Sequence, residues 1–146
     1  MLDKPQLFYE DVDLGDEIGP IQRIVTHKNV LDFVSIREEV PKPSRFTSKE
    51  VAVKEGLNEA IVPGVMNIAM MSQLITSWSP NVQLKKIDVV FRQTVPHNTA
   101  LILKGIITDM ADAPSDPEIS CDITMETEEG VKMVIGNATL TLPKKV

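Results

Sequence analysis

The chain has 146 residues and a mass of 16.2 kDa. This length is typical of one domain, so we expect residues 1–146 to fold as a single unit. Hydrophobic residues make up 42% of the sequence and charged residues 25%, a balance that excludes a disordered tail and a fibrous protein. The formal net charge of −6 argues against a nucleic-acid partner, because a negatively charged protein repels phosphate backbones.

Cysteine usage and apolar runs indicate the environment in which the chain works. Cys121 is the only cysteine, so no disulfide forms within the chain, and no Cys/His cluster has the spacing of zinc ligands. Residues 1–5 lack the apolar run of a secretory signal, and no stretch reaches the roughly 18 apolar residues of a membrane span. We therefore expect a soluble cytoplasmic protein that binds neither a metal ion nor a membrane.

The first third of the chain contains signals for one strand and two helices. Residues 18–26 are predicted to form a short strand. Thr26 is a suitable N-cap for a helix that runs to about Arg37. Ser48 is a suitable N-cap for a second, short helix, which Gly56 ends.

A third predicted helix follows Pro63-Gly64 and is apolar around most of its circumference. A helix of this kind must be buried on nearly all sides, and in a small protein a sheet that curls around it provides that burial. The apolar positions are Val65, Met66, Ile68, Ala69, Met70, Met71, Leu74, Ile75 and Trp78.

The remainder of the chain alternates apolar and polar residues, which predicts strands. The predicted strands are 87–95, 101–108, 119–126 and 131–142, with a loop over 110–117 and a hairpin turn at Glu128-Glu129-Gly130. This order predicts an α+β protein with the hot-dog fold, a curled antiparallel sheet wrapped around a long central helix. Because such a sheet has free edges, we also expect a dimer that extends it.

Three segments carry a resemblance to a known family: Tyr9 to Asp16, Ala52 to Met66 and Ile87 to Pro96. They resemble the opening, the approach to the central helix and the following strand of the MaoC-like hot-dog hydratases and dehydratases. That family acts on acyl thioesters of coenzyme A or acyl carrier protein. The resemblance implies an acyl-CoA or acyl-carrier-protein substrate, no further cofactor, and a homodimer or a heteromer with another MaoC-like subunit.

The family's catalytic groups are replaced in this sequence. The family uses an Asp-x-Asn-Pro-x-His motif as an acid/base pair and a His-Gly at the start of the central helix. Aligning Gly64 with that glycine places Pro41 at the catalytic aspartate and Phe46 at the catalytic histidine. It places Ser48 at a following aspartate and Pro63 at the histidine before the glycine. Because these residues cannot replace the acid/base pair, we assign no catalytic residue.

The same positions are candidates for substrate binding. We predict that Phe46, Ser48, Pro63, Gly64 and Val65 line an acyl-thioester site, with the Gly64 N–H donating to a carbonyl oxygen at a helix N-terminus. The alternative is structural. In that case Phe46 is a core residue, Ser48 is an N-cap and Pro63-Gly64 only marks the start of the helix.

The histidines, the methionines and several basic residues also have expected roles. The histidines are expected to be exposed structural residues. The methionines line an acyl pocket or fill the core, and the basic residues bind the phosphates of a thioester arm or lie on a solvated face. These residues are His27 and His97; Met66, Met70, Met71, Met125 and Met133; and Arg45, Arg92, Lys85 and Lys86.

The sequence therefore supports three functions. The first is a MaoC-like subunit that lacks its own acid/base pair and pairs with itself or with an active partner. The second is an active enoyl-thioester hydratase or dehydratase, or a thioesterase, that uses unidentified groups such as the carboxylate of Glu59. The third is a binding module without catalytic activity.

Overall fold

The computed structural model describes residues 4–115 and 117–146 and shows an α+β protein. A 3-10 turn, Tyr9–Asp11, precedes the first strand. Three helices lie between that strand and the remaining four. The elements in chain order are β1 Glu17–Ile24, α1 His27–Val34, α2 Lys49–Lys54, α3 Gly64–Thr76, β2 Gln83–Phe91, β3 Ala100–Ala111, β4 Glu118–Thr127 and β5 Lys132–Thr141.

The five strands form one antiparallel sheet in the order β1-β3-β4-β5-β2. The strands β3, β4 and β5 are joined by consecutive hairpins, and the Gly130 N–H donates to the Thr127 carbonyl oxygen (2.9 Å) in the predicted turn between β4 and β5. After α3, the chain returns as β2 at the far side of the sheet, beside β5. The sheet therefore has two outer strands, β1 and β2, and α3 lies against its inner face.

The helix starts are determined by the predicted capping residues. The Thr26 hydroxyl oxygen accepts a hydrogen bond from the Asn29 N–H (3.1 Å), and the Asn29 side chain accepts one from the Thr26 N–H (2.9 Å). The Ser48 hydroxyl oxygen accepts from the Val51 N–H (3.3 Å). The helix α1 ends at Val34 rather than near Arg37, because i→i+3 bonds tighten its last turn.

The predicted burial of α3 on nearly all sides is wrong for the single chain. One side packs on the sheet, and Met70, Met71, Leu74 and Ile75 lie in the core. The opposite side is open to solvent because the five-stranded sheet does not curl far enough to cover it. The exposed stripe consists of Val65, Ala69, Gln73 and Thr76.

The predicted strands are present, with shifted ends at β2 and β3. The strand β2 ends at Phe91 and not at residue 95, because the Arg92 and Gln93 N–H groups both donate to the Met133 carbonyl oxygen (2.8 and 3.1 Å) and divert the chain. The strand β3 extends to Ala111, so the following loop is shorter than predicted. Residue 116 of that loop lies outside the described residues.

Cys121 lies in the middle of β4 and is fully buried in the core. Burial raises the pKa of its thiol to about 11, because an apolar surrounding disfavours the thiolate. We expect a thiol-specific reagent at pH 8 to modify Cys121 in denaturant and to leave it almost unmodified in the folded chain. Rapid modification of the folded chain contradicts this burial.

The same thiol has a consequence for the pH dependence of stability. The unfolded chain ionises Cys121 above the ordinary thiol pKa of 9.0, whereas the folded chain keeps the proton up to a pKa of about 11. The folded state therefore loses stability as the pH rises between these values.

None of the described helices is long and apolar enough to cross a bilayer.

Candidate functional site

Two cavities lie beside the N-terminal end of α3, where the sequence resemblance places the thioester. The larger has a volume of about 410 Å³ and the smaller of about 270 Å³. Phe46 lines both cavities. Pro63 and Val65 line the larger one and Gly64 the smaller one, so the structure brings four of the five predicted substrate-binding residues together.

Backbone hydrogen bonds hold the segments that form these cavities. The Ile61 N–H donates to the Arg45 carbonyl oxygen (3.0 Å), which fixes the segment containing Phe46 beside the approach to α3. The Val62 N–H donates to the Val95 carbonyl oxygen (2.7 Å), which fixes the same approach beside the segment that follows β2. Residues distant in sequence thus meet at the first turn of α3.

The smaller cavity is lined mainly by apolar and amide groups. Among the described residues that line it, Arg92 is the only one with an ionisable side chain, and a guanidinium does not release its proton in proteins. The lining residues are Phe46, Ile61, Val62, Gly64, Asn67, Phe91, Arg92, Gln93, Thr94 and Val95.

The larger cavity is more apolar and lies between α1 and the start of α3. Its two charged residues are Arg37 and Glu38, both exposed, and the Glu38 carboxylate accepts a hydrogen bond from the Lys42 N–H (3.2 Å). An apolar hollow of this size accommodates an aliphatic chain. Its other lining residues are Phe33, Val34, Ile36, Phe46, Pro63 and Val65.

The start of α3 has no side-chain cap. Pro63 occupies the N-cap position, and the N–H groups of Met66 and Asn67 donate to its carbonyl oxygen (3.0 and 3.3 Å). The N–H groups of Gly64 and Val65 find no acceptor within residues 4–115 and 117–146. Unpaired N–H groups at a helix N-terminus favour a ligand with partial negative charge.

Gly64 packs closely against the Phe91 ring. A Cβ atom at this residue would lie 3.2 Å from the Cζ atom of Phe91, tighter than ordinary van der Waals contact. The aromatic ring at the end of β2 therefore lies against the backbone of the helix start. The close contact favours a glycine at position 64 without reference to any ligand, so both interpretations of Pro63-Gly64 stay open.

Ser48 lies apart from the two cavities. Its hydroxyl oxygen caps α2, as the structural alternative predicted, and Ser48 lines neither cavity. Arg45 is placed beside the site: its guanidinium lies 5.4 Å from the centre of the Phe46 ring and 3.8 Å from the Glu55 carboxylate.

The two histidines lie together near the start of α1. Their Nδ1 atoms are 3.4 Å apart, and the His97 Nε2 atom lies 3.2 Å from the Ile61 carbonyl oxygen. His27 is exposed as expected, whereas His97 is half-buried because it packs against His27 and the Ile61 backbone. Neither imidazole lines either cavity at the start of α3.

Two further candidates from the sequence, Glu59 and Lys85, contact neighbouring side chains. Glu59 forms an ion pair with Lys49 (3.0 Å) and lines a third cavity, which adjoins the smaller one through the shared residues Ile61, Gln93 and Thr94. Lys85 donates to the Gln83 side chain (3.1 Å). Among the described residues, no group of three or more His, Cys, Asp and Glu side chains is placed to hold a metal ion.

The methionines fill the core rather than line the two cavities. Met71 and Met125 are fully buried and Met70 and Met133 almost fully, all in the hydrophobic cluster, while Met66 packs against it. None of these five residues lines either cavity beside α3. The alternative that they are core residues is confirmed.

Asn67 is a site residue that the sequence reasoning missed. It lines the smaller cavity and is only 3% exposed, and its Oδ1 atom has no hydrogen-bond partner among the described residues. The sequence contains one signal for it. Asparagine is unfavourable inside a helix, and here it interrupts an otherwise apolar run.

Comparisons with known proteins identify the fold. No family model and no curated protein matches the chain by sequence. Among solved structures, the (R)-hydratase of A. caviae involved in PHA biosynthesis is 15% identical, with a TM-score of 0.79 over 92% of this chain and 99% of that chain. The MaoC-like dehydratase of Rhodospirillum rubrum is 13% identical, with a TM-score of 0.80 over 96% and 99%.

A third similar structure is a complex of two different chains. The ChsH1-ChsH2 complex of Mycobacterium tuberculosis contains a chain that is 14% identical to this one, with a TM-score of 0.75 over 89% of this chain and 98% of that chain. The chain therefore has the hot-dog fold. The fold implied by the sequence resemblance is confirmed.

Proposed function

We propose that this protein is a MaoC-like subunit that binds an acyl thioester of coenzyme A or acyl carrier protein and lacks its own acid/base pair. One observation carries the proposal: the described lining of the smaller cavity at the start of α3 contains no carboxylate and no imidazole. The larger cavity has a single carboxylate, that of Glu38, which is exposed. Hydration of an enoyl thioester needs a base to activate water and an acid to protonate the α-carbon.

The free N–H groups of Gly64 and Val65 support the binding role. A thioester carbonyl oxygen at this position accepts a hydrogen bond from the start of α3, and the helix dipole favours its partial negative charge. The larger, apolar cavity beside Phe46 and Pro63 holds the acyl chain. Arg92 at the smaller cavity and Arg45 beside Phe46 are suited to the phosphates of the thioester arm.

We further propose that the chain works as a dimer, with itself or with an active MaoC-like subunit. Within residues 4–115 and 117–146, the strand β2 pairs only with β5 and leaves a free edge. Beside that edge, Phe91 is 47% exposed, and Val65 on the open stripe of α3 is 65% exposed. Exposed apolar residues beside an unpaired strand are typical of an interface.

The complex named among the similar structures supports a heteromer of two hot-dog chains. In such a heteromer the partner supplies the acid and the base, and this chain contributes binding surface. We place either partner at the same edge of the sheet, beside β2.

Ligand-dependent melting tests this function. We expect crotonyl-CoA at 100 times its dissociation constant to stabilise the folded chain by about 2.7 kcal/mol, which raises the melting temperature by roughly 5–10 °C. Free coenzyme A, which lacks the acyl group and the carbonyl oxygen, serves as the control and produces a smaller shift. No shift with any acyl thioester contradicts the binding role.

A further inference from the structure

The carboxamide of Asn67 is a buried polar group without a hydrogen-bond partner in the described part of the chain. The side chain is 3% exposed, and its Oδ1 atom is inaccessible to solvent and unpaired. Buried polar groups in native proteins are nearly always hydrogen-bonded, so an exception calls for a reason. Asn67 lines the smaller cavity, so a group that occupies this cavity would satisfy the carboxamide once the side chain turns toward it.

A second set of unpaired groups lies one turn away on the same helix. The N–H groups of Gly64 and Val65 find no acceptor among the described residues, and Gly64 lines the same cavity as Asn67. Three residues of α-helix rise about 4.5 Å, so the two sets lie a few ångströms apart along the axis. The cavity therefore offers donors at the helix start and a carboxamide one turn further in.

We propose that Asn67 is a specificity-determining residue that binds the hydroxyl group of a 3-hydroxyacyl thioester. This inference depends on the proposed function, because the thioester carbonyl oxygen must accept from the N–H groups at the start of α3. A 3-hydroxyacyl thioester carries its carbonyl and its hydroxyl on carbons separated by a single methylene. We assign the carbonyl oxygen to the N–H groups at the helix start and the hydroxyl oxygen to the Asn67 carboxamide.

A hydroxyl group suits Asn67 better than other polar groups do. A hydroxyl both donates and accepts, so it satisfies the carboxamide whether the oxygen or the nitrogen faces the ligand. A saturated acyl chain leaves the carboxamide unpaired. A site built to bind a hydroxyl discriminates strongly against an analogue that lacks it.

The test compares two ligands that differ only in the hydroxyl group. The dissociation constants of 3-hydroxybutyryl-CoA and butyryl-CoA are measured by calorimetry on the full chain. We expect the wild type to bind the hydroxylated ligand about tenfold more tightly or better. In Asn67→Leu, which keeps the branched shape, removes the polar atoms and adds some volume, the two ligands are expected to bind with nearly equal affinity.

Thr124→Val is the matched control. The Thr124 hydroxyl oxygen is also buried and unpaired, but it lies on β4, on the opposite face of the sheet from the buried Ile123 and Met125. Both substitutions remove an unpaired polar group, so both are expected to raise the melting temperature by a few degrees. Only the change at Asn67 is expected to remove the ligand preference.

The outcomes separate this inference from the proposed function. If the wild type binds both thioesters with equal affinity, the role of Asn67 is refuted and the binding function stands. This comparison needs no variant, so it decides even if the substituted chain fails to fold. If Asn67→Leu changes only the dimer affinity, a partner chain satisfies the carboxamide and the inference is refuted. If neither thioester binds, the proposed function itself is wrong.

Discussion

Gly136→Ala is expected to lower the melting temperature by about 10 °C or more, the largest effect of any single methyl group added to this chain. Gly136 lies in β5, opposite Val89 of β2. A Cβ atom at this position would overlap the Asp88 carbonyl oxygen and lie 2.9 Å from the Val89 Cα atom. These are backbone atoms and cannot rotate away, so β2 must separate from β5.

The expected cost follows from what that separation breaks. Overpacking alone costs about 1–3 kcal/mol, and displacement of β2 also weakens its ladder of hydrogen bonds to β5. A loss of about 3 kcal/mol or more is a large part of the roughly 5–15 kcal/mol that stabilises a domain. The melting temperature is measured by circular dichroism or calorimetry.

Gly105→Ala is the matched control for this prediction. Gly105 also lies inside a strand with a neighbour on each side, but the atoms nearest to an added Cβ are 3.3–3.4 Å away. These atoms are the Asp122 carbonyl oxygen, the Ile123 Cγ2 atom and the Ile18 Cβ atom, and each has to move by only a few tenths of an ångström. We expect a loss of about 1 kcal/mol or less. Equal melting temperatures for the two variants contradict the close approach of β2 to β5.

Ala69→Glu is expected to convert the proposed homodimer to a monomer, raising its dissociation constant by about 100-fold or more. Ala69 lies on the open stripe of α3 and lines neither cavity of the candidate site. In a symmetric dimer the new carboxylates enter the same apolar interface from both chains, and each loses its hydration without gaining a partner. Sedimentation or light scattering over a range of concentrations measures the change.

Ile24→Glu provides the comparison for the interface. Ile24 is also exposed, but it lies in β1, at the opposite edge of the sheet from β2. We expect Ile24→Glu to remain dimeric. A dimer that survives Ala69→Glu and dissociates in Ile24→Glu places the interface at β1 and contradicts the proposal. A wild-type chain that is monomeric at every concentration tested excludes the homodimer and leaves only the heteromer.

The sequence predicts the elements well where the signal is local. The capping residues Thr26 and Ser48 mark the starts of α1 and α2, and Pro63-Gly64 marks the start of α3, because capping and helix initiation depend on neighbouring residues. The alternation of residues 119–126 places β4 within a residue or two of its bounds.

Features that depend on distant contacts are not predicted. The end of β2 at Phe91 is determined by two N–H groups that share the Met133 carbonyl oxygen, and Met133 is about forty residues away along the chain. The exposed stripe of α3 depends on how far the whole sheet curls. Local periodicity carries no information about either feature, so the sequence predicts a strand that is too long at this end and a helix that is covered on nearly all sides.

In the candidate site, too, features that depend on neighbouring residues are predicted and features that depend on distant contacts are not. Pro63, Gly64 and Val65 are predicted from the resemblance at the start of α3, and the cavities are found there. The sequence does not predict that Asn67 lines a cavity. That cavity is closed by Phe91 and the residues after β2, and only the fold brings these residues to the helix. Ser48 was grouped with the site by alignment alone, and its hydroxyl oxygen is instead used as the cap of α2.

The most direct test of the central claim measures binding and turnover on one sample of the purified chain. Crotonyl-CoA is added, its binding is followed by the melting temperature, and its hydration is followed by the loss of absorbance of the conjugated thioester. A cavity that retains its donors but has no acid/base pair predicts a raised melting temperature and no hydration above background. Hydration in proportion to the concentration of the isolated chain would contradict the account.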